Sequence, residues 1–318
     1  YAENVYHTGF GDCKGLTNYT RAMLSVLNIP STYTIINTEN ENFHADFASA
    51  NQANHVILQV PLAKDTLWIE CTNPQLPLGY IHHSIAGHDA LLVTPEGGVI
   101  HRLPTYPDSL NTQLNTVNII LANNGNAEID VLQKNSLLQY ESILDLSQAP
   151  LDKQKDYIRS NIGLIQAEIT NIKYKEHRES LPSIDIHYGI KTNKYSNNTG
   201  KRMFLPLNIF RHNFKSPPKS EERMHDINIK YGHMDTDSIN ISLPDNFTIE
   251  SMPKSYQINT PFGYFSSFIS INGNNILITQ RFYMKKGKYK ANEYTQLVSF
   301  LENIEKQYNE QIILKLKE

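Results

Sequence analysis

Residues 14–29 read KGLTNYTRAMLSVLNI, and Leu16, Tyr19, Thr20, Met23, Leu24 and Leu27 recur there at steps of three and four. That spacing predicts a helix with one buried stripe, stopped by Pro30. Three short runs follow: STYTIINT (31–38), NHVILQVPL (54–62) and TLWIECT (66–72). They are rich in β-branched and aromatic residues and bounded by polar or turn residues, so they predict adjacent strands of one antiparallel sheet. HDALLVTPEGGVIHRLP (88–104) adds two strands around a Pro-Glu-Gly-Gly turn, and TYPDSLNT reads as a linker, placing a first boundary near residue 110.

Beyond it, NTVNIILANNGNAEIDVLQ predicts a hairpin across Asn-Asn-Gly-Asn, and residues 152–177 form the one long helical pattern of this half. Strand patterns resume at PSIDIHYGIKT and HDINIKYGHM, and from Asp237 to Met284 strands and turns alternate at the spacing of a sandwich. Residues 292–314 close the chain as a helix. The expectation is an α+β protein. Its 1–108 domain has a cysteine-bearing helix packed on an antiparallel sheet, and its 109–318 domain is β-rich and sandwich-like with two helices.

A length of 318 residues fits this division, since each part is long enough to bury its own core. The formal charge of −3, from 29 basic and 32 acidic residues, gives no broad basic surface and argues against nucleic acid as the main partner. Two cysteines cannot form a disulfide framework. No apolar run approaches the roughly 18 residues of a membrane span. Tyr1 opens without a signal-peptide pattern, and a first residue other than Met is what a chain trimmed from a longer one would have.

The chemistry concentrates in the first third. Cys13 sits where the Gly-rich turn GFGD meets the helix, flanked by Asp12 and Lys14. A helix N-terminus favours a thiolate, because aligned peptide dipoles and unpaired N–H groups stabilise the anion, and Lys14 adds positive charge. His55, preceded by Asn54, begins the second strand, and Glu70 lies in the next, so neighbouring strands would set imidazole and carboxylate side by side. Nucleophile, base and orienting acid are the parts of a cysteine hydrolase or acyltransferase. By strand parity Cys71 faces away from Glu70 as a small core residue, which disfavours a Cys13–Cys71 redox pair. Trp68 shares the Glu70 face, as core or cleft wall. His82, His83 and His88 lack metal-site spacing and read as loop histidines at the cleft rim, while Asp235 and Asp237 read as an acidic turn. No metal or other cofactor is expected, calcium included.

Taken together, GFGDCKGLTNYTRAMLSVLNIPSTYTII and NHVILQVPLAKDTLWIECTNPQLPLGYI resemble the core of the transglutaminase-like superfamily. The resemblance covers roughly residues 1–108 and puts the family's cysteine on Cys13, its histidine on His55 and its acid on Glu70, with Glu in place of the usual Asp. It implies a papain-like core that attacks an amide or peptide bond through a Cys13 thioester, more in the manner of a peptidase or amidase than of a cross-linker. Cys13 N–H supplies one oxyanion donor and Tyr6 is a guess for the second. The part beyond residue 110 is similar to the β-rich regions of exported, Bacteroides-type multidomain proteins, which implies a periplasmic or surface location. It also implies a protein, peptide or cell-envelope substrate and an N-terminal β-domain ahead of this chain. A core that keeps the triad only as a relic, serving as a surface binding or scaffold module, is the alternative.

Overall fold

The computed structural model describes residues 2–210, 217–220 and 223–317 and has an α+β architecture in which strands predominate. The chain forms two compact units, Tyr1–Tyr106 with His177–Pro182 and Pro107–Glu176 with Ser183–Glu318. Among the described residues no helix is long and apolar enough to cross a membrane.

The first unit opens with α1 (Ala2–Thr8) and α2 (Cys13–Val26), followed by β1 (Thr32–Ile36), β2 (His55–Pro61), β3 (Thr66–Ile69), β4 (Asp89–Thr94) and β5 (Gly97–Arg102). Asp12 caps α2, its carboxylate accepting the Gly15 N–H at 2.8 Å, which satisfies one of the orphan donors of the first turn. The helix ends at Leu27, where Asn28 turns left-handed ahead of Pro30. The strands form one antiparallel sheet in the order β3-β2-β1-β4-β5. Thr17, fully buried in α2, donates its hydroxyl to Val56 O and ties the helix to β2. Ile36, Ile57, Trp68, Ala90 and Leu103 make the core, with Ile81 and Ile85 from the following loop.

The second unit carries β6 (Thr112–Leu121), β7 (Ala127–Ser136), α3 (Leu138–Ser147), α4 (Leu151–Asn161), β8 (Ala167–His177), β9 (Ser183–Thr192), β10 (Asn197–Thr199) and β11 (Arg202–Pro206). There follow β12 (Ile227–Ile229), β13 (His233–Ser242), β14 (Phe247–Ser251), β15 (Tyr256–Thr260), β16 (Gly263–Asn272), β17 (Asn275–Met284), β18 (Gly287–Tyr289), α5 (Tyr294–Tyr308) and β19 (Gln311–Leu316). An eight-stranded sheet runs β15-β16-β17-β13-β6-β7-β9-β8, with β6 and β13 parallel, and a four-stranded sheet runs β10-β11-β19-β14. The inward rows of both sheets, among them Val117, Ile129, Ile239, Ile278, Leu205 and Leu314, form one apolar cluster. Each such fully buried side chain contributes about 1.5–3 kcal/mol. A second cluster packs Leu297, Phe300 and Ile304 of α5 against Phe265 and Phe282.

Four expectations change. The 152–177 helix is α4 followed by β8: the helix stops at Asn161, Gly163 N–H bonds Ile209 O, and the alternation of AEITNIKYKEH takes over as a strand. The closing helix likewise ends at Tyr308, because Ile312 and Leu314 alternate into the core as β19. With α3, whose Tyr140, Ile143 and Leu144 are buried, this unit has three α-helices among the described residues rather than two. Asp235 and Asp237 lie within β13, not in a turn. Asp237 is 1% exposed, and its oxygens accept from Asn115 Nδ2 at 2.7 Å and Asn208 Nδ2 at 2.6 Å. A buried carboxylate is tolerable there because amide donors replace water.

Gly263 leaves no room for a side chain. Its φ is +144°, and a Cβ there would lie 1.8 Å from Tyr283 O on the paired strand. Gly263→Ala is expected to cost about 3 kcal/mol or more, read as a lower urea midpoint. An unchanged midpoint would refute the close approach.

Candidate active site

Glu70 lies one residue past the end of β3, where the chain leaves the sheet, and its side chain is only 5% exposed. Its Oε2 accepts from His55 Nε2 at 2.7 Å and from His82 Nε2 at 3.2 Å. Its Oε1 accepts from the Thr72 N–H at 2.7 Å and from the Thr72 hydroxyl. Burial pushes this carboxyl up, but the hydrogen bonds from His55, His82 and Thr72 outweigh it and hold the group well below the usual carboxylate range. Glu70 is therefore an acceptor on both oxygens. Both imidazoles therefore donate through Nε2, which leaves His55 Nδ1 off the carboxylate and pairs His82 Nδ1 with Ser84 Oγ at 2.9 Å.

Cys13, in the first turn of α2, and His55, at the first position of β2, line one cavity of about 720 Å³. Among the described residues no hydrogen bond joins the thiol directly to the imidazole; the two groups share one cavity. Tyr33 of β1 lines the same cavity. Burial, then the negative charges that Cys13 and Asp12 can carry, raise its hydroxyl, so it stays a hydrogen-bond donor beside the thiol. Such a first-turn cysteine, a fixed imidazole and a protonated phenol can together take a proton from sulfur and stabilise a developing oxyanion.

Lys14 and Asn54 also line the cavity, and Asn54 Oδ1 accepts the Thr38 N–H at 2.9 Å. Asp12 acts as the helix cap. Two cleft candidates lie elsewhere. Trp68 is 4% exposed in the core, its ring 5.4 Å from that of His101, because its parity turns it inward under the sheet. Tyr6 is exposed on α1 and takes no part in the lining. Cys71 is a free thiol, as is Cys13; it packs near Thr17 and Thr20 of α2, and burial pushes its thiol up. His88 is buried rather than at the rim, with Nδ1 bonded to Asn37 O at 2.7 Å. Sequence reasoning missed Thr72, Tyr33 and Ser84, and placed His82 at the cleft rim without its bond to Glu70. The only cue to His82 was a histidine pair shortly after the acid, and nothing local says which member turns toward Glu70.

Residues 201–314, within the second unit, match the family described as "Domain of Unknown Function with solved-structure structure (DUF3858)". No curated protein matches the chain. Among solved structures, one described as a "putative protease from Parabacteroides distasonis ATCC 8503" is similar in fold, with a TM-score of 0.52 at 10% identity. The likeness covers 99% of this chain and 46% of that one, so this chain spans less than half the length of its structural neighbour.

Proposed function

We propose that the first unit is a transglutaminase-like, papain-like cysteine site that transfers an acyl group from an amide bond of a peptide, with water the favoured acceptor. The observation that carries this reading is the shared cavity of Cys13 and His55, with the His55 ring held by a carboxylate that stays ionised. His55 Nδ1 takes the Sγ proton as sulfur attacks the carbonyl carbon. The Cys13 N–H and the Tyr33 hydroxyl face the oxyanion, and the imidazolium gives its proton to the departing amine. Water then cleaves the thioester; an amine in its place would give cross-linking. The resemblance in sequence and the description of the structural neighbour as a "putative protease" both support a peptide substrate.

Iodoacetamide labelling with peptide mapping tests this. At pH 6.5, Cys13 is expected to react at least tenfold faster than Cys71, whose thiolate burial disfavours, and to slow at least tenfold in His55→Ala. Equal Cys13 rates with and without His55 would remove the base from the mechanism. The second reading, a binding module without turnover, is favoured by the lack of a direct thiol–imidazole bond among the described residues, and it predicts those equal rates.

A further inference from the structure

From the floor and wall of the Cys13 cavity we infer that the site selects a peptide with a bulky apolar side chain beside the attacked bond. The attacked bond rests on the acyl-transfer reading, whereas the pocket stands on its own residues. Val56, Ile35, Leu91 and Ile100 are successive cross-strand partners across β2, β1, β4 and β5. Cross-strand partners point to the same face, so these four make a continuous apolar row, and all four line the cavity. The row begins at Val56, next to His55 in the chain, and crosses to the edge strand.

The opposite wall comes from the loop between β1 and β2, which contributes Phe43 and Phe47. This loop is held closed by its own side chains. Gln52 Oε1 accepts the His44 N–H at 2.7 Å, its Nε2 donates to His44 O and to Phe47 O, and Asn37 Nδ2 donates to Gln52 O at 2.7 Å. The Thr38–Asn54 bond joins its two ends. A loop closed in this way presents a preformed wall, which reduces the ordering cost of binding. Phe47 is nevertheless 64% exposed and Ile100 42% exposed, so two cavity-lining side chains keep apolar surface open to solvent. Among the described residues lining the cavity there is no carboxylate, while Lys14 and His44 are present. A basic side chain would find no carboxylate in the lining, and a small one would leave the apolar row wet.

The test is protection of Cys13 from iodoacetamide by N-acetyl-X-amides, with X as Phe, Leu, Gly, Asp or Lys; it reads binding without needing turnover. Phe and Leu are expected to protect at concentrations at least tenfold below those of Gly, Asp and Lys. In Phe47→Ala and Ile100→Ala, each referred to its own alkylation rate without amide, that preference is expected to fall at least fivefold. Equal protection by all five amides, or an unchanged preference in both variants, overturns the pocket. A Phe and Leu preference without any acyl-enzyme on Cys13 leaves the pocket standing and sinks the catalytic reading instead.

Discussion

Cys13→Ala is expected to abolish acyl-enzyme formation and to lower ester turnover by a factor on the order of 10⁴–10⁶, the scale on which removal of a covalent nucleophile acts. With p-nitrophenyl acetate the unmodified chain should gain one acetyl group by intact mass, mapped to Cys13, with a matching burst of p-nitrophenol. The variant should show neither. Stability is expected to stay within about 0.5 kcal/mol, because Cys13 is only partly buried and alanine is the stronger helix former. An acetyl group found on Cys71, or turnover unchanged in the variant, would end the assignment.

The second large effect belongs to Glu70. Four donors converge on this carboxylate: two imidazole nitrogens, the Thr72 N–H and the Thr72 hydroxyl. Glu70→Ala would leave them facing a void in a nearly closed site, at a cost of about 3 kcal/mol. It would also free the His55 ring, with a further loss of about 10²–10⁴-fold in turnover. Glu70→Gln keeps the volume but turns one acceptor into a donor that confronts another donor. The pH dependence separates charge from shape. The folded protein holds Glu70 ionised below the pH at which the unfolded chain protonates it, so the unfolded state binds more protons. This contribution is fully present above about pH 4.3, the ordinary glutamate value, and is lost as pH falls through the lower folded value. Urea midpoints of the unmodified chain and Glu70→Gln should therefore converge as pH drops from 5 toward 3. A constant gap would mean that the carboxylate's charge is not what the site depends on.

Much of this arrangement could be read from local pattern. The alternation in NHVILQVPL and TLWIECT sets β2 beside β3, and that adjacency brings His55 within reach of Glu70. Parity likewise separates Cys71 from Glu70. The bond from His82 to Glu70 was not legible, because a loop residue reaches the carboxylate through the path of the chain in space, for which no period exists. Tyr33 reads as one more aromatic strand residue until the register puts Ile35 and Val56 in one row and the cavity opens above them. The 152–177 stretch misled for a different reason. Its charged and apolar residues satisfy the helical period at the start and the strand period at the end, and only the backbone bond at Gly163 marks the change.

The place of β19 between β11 and β14 also sets a timetable for synthesis. The four-stranded sheet has no middle until residues 311–316 have been made, about a hundred residues after β11. At roughly 5–20 residues per second, a nascent chain carries the β19-facing edge of β11 open for roughly 5–20 s and that of β14 for roughly 3–12 s. The parallel pairing of β6 with β13, which spans 122 residues between Asn115 and Asp237, adds a second long closure. Chains in which β19 has not yet been made are thus the form most prone to pair with one another through open edges.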